Sequence, residues 1–536
     1  MAREYRVGAF FAAGATVGAS LAVPGFLGAA VRSAGAAEGG PATDLGVAHH
    51  AGSDSIGIQR VPFAAGAPLT EPEVRRSVNG ELRTTLRLQY AYKEVGGHRL
   101  YLRTYEGTIP GPTLRVRPGD VLRIRLINDL PPNRDPMPAN IDQPHHLNTT
   151  NFHFHGSHVS PSGNADNVMR SMEPGQSYDI EIAIPADHTA GTYWYHPHHQ
   201  GSADVQTASG MAGAVIIEGD FDKAPEIAAA RDRLMVLGEV VFDAFGMVES
   251  FDTLFPETAA RFLTVNGQRA PTITMQPGEV QRWRLLHAGY QDDIFMVLEG
   301  HELHPIARDG IAFERMGSAP PPTGGRESED PTAILIAPGQ RIDLLVQAGA
   351  PGTYELRALP YDQGYASPTG PIAKVVVAGE PRAMKLPTKL PAAPFATIRD
   401  DEITGTRQLT FSAEHPENDA AGHWGEFKFL IDGRGFDMNR VDHRVRLGAV
   451  EEWTVVNLHK DDHIFHIHTN PFQLTKVNGV ALPEPICLDT AVLPRNGSMT
   501  FRSRFLDFTG RYMLHCHMMN HEELGMMQVV EVYAGS

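Results

Sequence analysis

Gly510-Arg511-Tyr512-Met513-Leu514-His515-Cys516-His517 is a glycine turn running into a short strand, and the same kind of passage occurs twice before it, at Gly191-Thr192-Tyr193 and Gly352-Thr353-Tyr354. The three glycines fall 161 and 158 residues apart, the size of a domain rather than of a solenoid repeat. Upstream of each lies a second recurring element, a turn leading into an alternating strand. It reads Pro118-Gly119-Asp120-Val121-Leu122-Arg123-Ile124-Arg125-Leu126, then Pro277-Gly278-Glu279-Val280-Gln281-Arg282-Trp283-Arg284-Leu285, then Gly448-Ala449-Val450-Glu451-Glu452-Trp453-Thr454-Val455-Val456. A period of two marks a half-buried strand, so the chain is predicted to be all-β, with three consecutive homologous β-sandwich domains. With 53 Gly, 40 Pro and 20% charged residues in 536, the composition suits short strands joined by turns.

Composition shifts set the boundaries. The charge-bearing stretch Asp220 to Ala230 separates the first domain from the second, and the Pro-rich stretch Pro381 to Pro394 is a semi-rigid linker into the third. The expected order is a signal peptide (1–37), an N-terminal extension (38–83), domain one (84–222), domain two (223–380), a linker (381–395) and domain three (396–536). Gly317 to Pro331 is expected to be a surface loop. Arg3 and Arg6 ahead of a weakly hydrophobic Ala/Gly run, then the small residues Ser33 to Ala37, have the form of a secretory signal, although no adjacent arginine pair fixes the export route. The mature protein is therefore expected in the periplasm or outside the cell. Its net charge of -17 argues against a nucleic-acid or anionic-membrane partner.

The strand after Gly510 also carries chemistry. His515-Cys516-His517-Met518-Met519-Asn520-His521-Glu522-Glu523-Leu524-Gly525-Met526 places a thiol, three imidazoles and the thioether of Met526, with those of Met518 and Met519, at its end in twelve residues. One Cys, two His and a weak axial Met form the ligand recipe of a blue electron-transfer copper, and Cys516, His521 and Met526 supply three of the four. In a strand Cys516 faces one way and His515 and His517 the other, so one strand touches two metal centres. Cys487, the only other cysteine, is expected to be a buried free thiol.

Four His-x-His pairs stand out: His153/His155, His196/His198, His466/His468 and His515/His517. With 25 His in 536 residues, composition alone gives about one such pair. Five and seven residues after the turn glycine come His196 and His198 in domain one, His515 and His517 in domain three, but Arg357 and Leu359 in domain two. Eighteen residues after Gly278 comes Met296, where eighteen after Gly448 gives His466. Domain two thus lacks ligands and is expected to act as a spacer, while eight imidazoles from the first and last domains meet at one interface. Eight exceed the needs of one ion and suit a cluster of three coppers with positions left for oxygen. His463 completes the Cys516 site.

At these motifs the chain resembles a three-domain multicopper oxidase of the bacterial laccase type, from about Thr84 to Val532. The residues that carry the likeness are Asn151-Phe152-His153-Phe154-His155-Gly156, Tyr193-Trp194-Tyr195-His196-Pro197-His198, His463-Ile464-Phe465-His466-Ile467-His468 and the terminal block. The resemblance implies cupredoxin-like Greek-key sandwiches and four coppers. His463, Cys516, His521 and Met526 would hold the type 1 ion, and His153 and His466 the type 2 ion. His155, His196 and His517 would hold one type 3 ion, and His198, His468 and His515 the other. It further implies that single electrons enter from a small-molecule or metal-ion donor at the type 1 copper, cross through Cys516, and reduce dioxygen to water at the cluster. Asp166 and Glu522 resemble the family's acidic proton donors, which chemistry would tune near the working pH.

Phenols or aromatic amines are the expected donors. A cuprous-ion oxidase for copper tolerance is the rival, disfavoured because the 18 Met are dispersed; a copper nitrite reductase would need neither a third domain nor eight histidines. A non-catalytic copper store or electron carrier would need only the type 1 set. The thioether of Met526 predicts a modest type 1 potential. Three domains suffice for the cluster, so a monomer is expected. His301 and His304 are expected to be structural, His158 and His199 to stand behind the ligands or at the surface, and His49-His50 and His145-His146 to lie in loops.

Overall fold

The computed structural model describes residues 58–254, 260–316, 332–391, 395–414 and 427–535. The signal peptide, the extension as far as residue 57 with His49-His50, the loop Gly317 to Pro331 and residues 392–394 of the linker lie outside the described residues. Strands dominate. The helices among the described residues are short, as in Ala203–Ala208, Pro225–Ala229 and Met519–Glu523, and none is long and apolar enough to cross a membrane.

Three two-sheet sandwiches follow one another. In the first, the strands Gln59–Arg60, His98–Tyr105, Glu81–Val95, Val121–Asn128 and Ser177–Ala183 form one sheet in that order. Val74–Arg76, Thr113–Val116, Gly213–Ile217, Gly191–His196 and His153–His155 form the other. The alternation read from the sequence sets the core: Leu122, Ile124 and Leu126 point inward to Leu114, Val116, Tyr193, Tyr195, Val215 and Ile217, while Arg123 and Arg125 point out. The strands Gln59–Arg60 and Val74–Arg76 of the extension belong to this sandwich, residues 66–69 between them run along Thr272 of the second, and the strand Glu81–Val95 crosses the limit expected at Thr84. That strand pairs in parallel, from Glu81 onward, with the one after the Pro-Gly turn, a pairing that no local pattern announces.

The second sandwich repeats the plan. Its long strand Arg231–Phe242 pairs in parallel with Val280–His287, and the ligand-poor strands Ile294–Leu298 and Gly352–Leu359 pair antiparallel in the opposite sheet. In the third, Gly405–Glu414 pairs in parallel with Ala449–Asn457, while His463–Ile467 and Gly510–Cys516 pair antiparallel in the opposite sheet. Trp283 and Trp453 fill the corresponding cores without exposure, and each indole N–H finds an acceptor two residues back, on Gln281 (3.2 Å) and Glu451 (2.8 Å).

Ladder register tests the repeat alignment directly. His153 lies opposite His196 and His466 opposite His515, so the first and third sandwiches match residue for residue. In the second, Val297 rather than Met296 lies opposite Arg357, one position from the expected equivalence. The structural counterparts of the ligands there are Val297 and Arg357, which leaves the sandwich as poor in donors as expected.

The sandwiches meet over both apolar and ionic surfaces. Trp194, Ala214 and Ile216 of the first pack on Leu234, Val236 and Leu286 of the second. Beside them Asp343 pairs with Arg282 and Arg284, both 2% exposed, and accepts a hydrogen bond from the Thr192 hydroxyl at 2.7 Å.

Candidate metal centre

Two donor sets lie on either side of Cys516. On one side Cys516 Sγ is 3.4 Å from His463 Nδ1 and 3.7 Å from His521 Nδ1, and those two nitrogens are 3.1 Å apart. His463 opens its strand, Cys516 ends the neighbouring one, and His521 comes from the single-turn helix that follows. That helix and the turn after it fold back, because Met526 N–H donates to His521 O and Cys516 N–H donates to Met526 O. Met526 is thereby fixed by its backbone against Cys516 and His521, and it is fully buried. Phe429 stacks on His521 with ring centroids 3.9 Å apart. Burial, reinforced by the charges of Glu522 and Asp293, pushes the Cys516 thiol up to about 12, and burial with His459 alongside holds the His463 imidazole well below its usual range. A bound cation would reverse the first effect, since it favours the thiolate.

On the other side the eight histidines of the four His-x-His pairs converge. His153 stacks on His468 (3.9 Å) and His155 on His466 (3.8 Å), so imidazoles of the first and third sandwiches lie face to face. Donor nitrogens gather as His153/His155/His196, as His153/His466/His468 and as His198/His468/His515, each set within 4.8 Å. His517 Nε2 is 3.2 Å from His155 Nδ1, and His198 Nε2 is 3.1 Å from His515 Nε2. Burial first, and neighbouring imidazoles second, hold His155, His466, His468 and His517 far below the usual histidine range, so these rings are neutral.

The outer atoms decide which nitrogen carries the proton. His153 Nδ1 faces Asp166 at 3.2 Å, His196 Nδ1 donates to Pro197 O at 2.8 Å, and His466 Nδ1 donates to Asp489 O at 2.8 Å. The Nε2 atoms of all three then carry lone pairs, and each is buried with no hydrogen-bond partner. Uncompensated buried acceptors cost on the order of 1–3 kcal/mol each, and a cation at their meeting point removes that cost. Imidazole and thiolate donors suit copper, so the residues present fit that metal.

Both expected acids sit at the cluster. Asp166, 3% exposed, also accepts the Phe154 N–H at 2.7 Å. Glu522 places Oε2 2.9 Å from His515 Nδ1 and Oε1 3.4 Å from His198 Nδ1. Burial would raise the Glu522 carboxyl, but His198 and His515 outweigh it and hold it down at about 2. The protonated acids stand behind it. Burial, with carboxylate neighbours, raises Glu523 well above its ordinary value and Asp204 to about 8.

Several residues at the site lie outside the expected set of ligands and acids. Asp489 and Thr490 touch His155 Nε2 at 3.2 Å, Trp194 stacks on His196 at 4.1 Å, and Arg341 of the second sandwich grips Asp489 at 2.8 and 2.6 Å. The second sandwich is therefore more than a spacer. Arg341 and Asp489 are 148 positions apart, a pairing that one sequence does not reveal. Of the remaining histidines, His158 bridges sandwiches through Thr469 O (2.7 Å) and Asp507 (2.9 Å), His301 accepts the Gly349 N–H, and His199 is held by burial at about 4. Cys487 is free but half-buried rather than fully buried.

Comparison with known proteins accords with this geometry. Multicopper oxidase family profiles match residues 140–221, 243–380 and 404–536. The multicopper oxidase mco of Staphylococcus aureus is 24% identical over 477 residues, covering 87% of this chain and 92% of that protein. A laccase of Bacillus stratosphericus is 24% identical over 526 residues, covering 86% and 97%. The solved multicopper oxidase of Campylobacter jejuni, described as a metallo-oxidase, superposes with a TM-score of 0.72 at 23% identity over 89% of this chain and 98% of that one. Each sandwich carries its own family match, and the chain belongs to the multicopper oxidases, as a three-domain copper-dependent oxidoreductase of the laccase type that uses dioxygen.

Proposed function

We propose that the protein takes single electrons from phenols or aromatic amines and reduces dioxygen to water with four coppers. The observation that carries this reading is His515-Cys516-His517, whose alternating side chains join a thiol site to an eight-histidine site through a few covalent bonds. His463, Cys516, His521 and Met526 would hold the type 1 ion and His153 and His466 the type 2 ion. His155, His196 and His517 would hold one type 3 ion, and His198, His468 and His515 the other. When bound, copper supplies one-electron transfer at the first site and the electrons for oxygen reduction at the second.

The chain's own residues do the rest. Asp166 keeps the proton of His153 on Nδ1 and so keeps Nε2 free for metal. The Cys516 carbonyl holds the proton of His515 on Nδ1 at 3.0 Å, and Glu522, beside the Nδ1 atoms of His198 and His515 and backed by the acids Glu523 and Asp204, passes protons inward one at a time. The walls of the cluster, with all eight histidines buried, exclude bulk water from the reaction. Phe429, lying flat on His521, supports an aromatic donor. The protein acts as an exported monomer.

A cuprous-ion donor is the second reading, supported by the description of the Campylobacter jejuni relative as a metallo-oxidase. Oxygen uptake by copper-reconstituted protein, compared across a phenol, an aromatic diamine and cuprous ion, separates them: turnover with cuprous ion alone overturns the organic donor. Cys516→Ser should abolish the blue colour and turnover while leaving the far-ultraviolet spectrum unchanged. Retained turnover in that variant would remove the thiol from the electron path, and a protein that binds copper without consuming oxygen would be a store or carrier.

A further inference from the structure

The second sandwich provides no ligand, yet its turn Gly339-Gln340-Arg341 enters the junction of the other two. Arg341 is fully buried. Its guanidinium donates to Asp489 Oδ1 (2.8 Å) and Oδ2 (2.6 Å) of the third sandwich, to Thr192 O (3.1 Å) of the first and to Gly339 O (3.0 Å). Asp309, also of the second sandwich, holds the adjoining main chain. Its Oδ2 accepts the N–H groups of Asp489 and Thr490 at 3.3 and 3.2 Å, its Oδ1 accepts that of Arg341 at 3.0 Å, and Gln340 Nε2 donates to Thr490 O at 2.9 Å.

Asp489 so held meets two histidines from different sandwiches. Its Oδ1 lies 3.2 Å from His155 Nε2, and its carbonyl lies 2.8 Å from His466 Nδ1. As an acceptor at both places it draws the proton of His155 to Nε2 and that of His466 to Nδ1. His155 Nδ1, which faces His517, and His466 Nε2, which has no partner, are left with lone pairs. Space was kept for this contact: Gly156, directly after His155, has φ +79°, and a Cβ there would collide with the Arg341 guanidinium and the Asp489 carboxylate.

We propose that Arg341, with Asp309, is the positioning residue of the trinuclear ligand set, fixing Asp489 so that it sets the tautomer and aim of both His155 and His466. This rests on the assignment of those two histidines as copper ligands. The second sandwich thereby shapes a copper site to which it contributes no ligand. A lysine at 341 retains the charge but loses the fork that grips both carboxylate oxygens and Thr192 O together. Partners of this kind are worth about 10–100-fold in metal affinity.

The test is copper loading of the full chain, read as copper per chain, blue absorption, the near-ultraviolet type 3 band and the type 2 electron paramagnetic resonance signal. Arg341→Lys should keep the blue band and bind copper at the cluster about 10–100-fold more weakly, with an altered type 2 signal. Asp343→Asn, in the buried ion cluster of the same sandwich but away from the ligands, should load as the parent does. Parent-like loading and signals in Arg341→Lys overturn the proposal, as does an equal loss in Asp343→Asn, which would assign the effect to domain docking in general. If Arg341→Lys does not fold, Asp489→Asn, close in shape, carries the same expectations and the same overturning result. His155→Ala separates the two readings: full loading there dismisses the ligand assignment, whereas lost loading there with parent-like Arg341→Lys dismisses only the positioning role.

Discussion

Glu522 Oε2 lies 2.9 Å from Nδ1 of His515, on the face of that ring turned away from the cluster. The second carboxylate oxygen lies 3.4 Å from Nδ1 of His198, whose Nε2 meets that of His515 at 3.1 Å. One ionised side chain thus governs two rings from different sandwiches. Glu522→Gln should keep four coppers and the blue band but lose about 10²–10⁴-fold in turnover, the usual worth of a positioned proton carrier. Stopped-flow measurement divides the effect: reduction of the blue band by substrate without oxygen should be unchanged, and reoxidation by oxygen slowed. Slowed reduction instead would show that Glu522 serves electron entry.

Behind Glu522, Asp204 Oδ1 accepts the Val205 N–H, Asp204 Oδ2 is buried without a partner, and burial raises its carboxyl to about 8. Glu523, raised with it, accepts the N–H groups of Gly201 (2.5 Å) and Ala203 (2.9 Å). Folded Asp204 holds its proton where the unfolded chain, near 3.8, has released it. Stability from this group is full below about pH 4 and is lost as pH rises towards 8, because the folded state binds the extra proton across that window. Asp204→Asn removes the titration. Melting of the copper-free variant, compared with the parent from pH 5 to 8.5, should shift in the variant's favour as pH rises; parallel curves would show that Asp204 does not titrate there.

The candidate metal donors are legible in the sequence because each belongs to a local pattern. Alternation assigned Cys516 to one face and His515 and His517 to the other, and the glycine turns aligned His196 with His515, as the ladders His153–His196 and His466–His515 bear out. The same counting slipped by one at Met296, because the spacing from turn to strand differs in the second sandwich and register is fixed by pairing rather than by distance from a glycine. Arg341, Asp309 and Asp489 escaped notice for another reason. Their contacts join three sandwiches, and nothing within a few residues of any of them marks a partner more than a hundred positions away.

Asp343 is the shared partner of Arg282 and Arg284 at the junction of the first two sandwiches, and all three are 2% exposed. Removing it leaves the two guanidiniums with only Asp222 and Asp232, and leaves the Thr192 hydroxyl without its acceptor. Breaking a buried ion pair from one side costs about 3–5 kcal/mol. Asp343→Ala should therefore lower the unfolding free energy of the copper-free protein by that order, read as a lower urea midpoint in its first transition, and expose the first two sandwiches to proteolysis between them. An unchanged midpoint would mean that water replaces the carboxylate.

Met526 is fully buried, and its carbonyl accepts the N–H of Cys516. The chain there is held on both sides, by Met526 N–H on His521 O and by the strand Met527–Tyr533, so a replacement side chain occupies the same place. A thioether donates weakly to copper and stabilises the oxidised ion, whereas a branched hydrocarbon of similar volume does not. Met526→Leu conserves volume, and such exchanges in a packed core cost less than about 1.5 kcal/mol. The variant should fold, keep the thiolate-to-copper blue band, and show a higher type 1 potential in redox titration. Oxidation of poorly reducing phenols should become faster and reduction of the cluster slower, because a higher potential favours electron entry and disfavours the onward step. An unchanged potential would place the Met526 sulfur outside the type 1 ligand set.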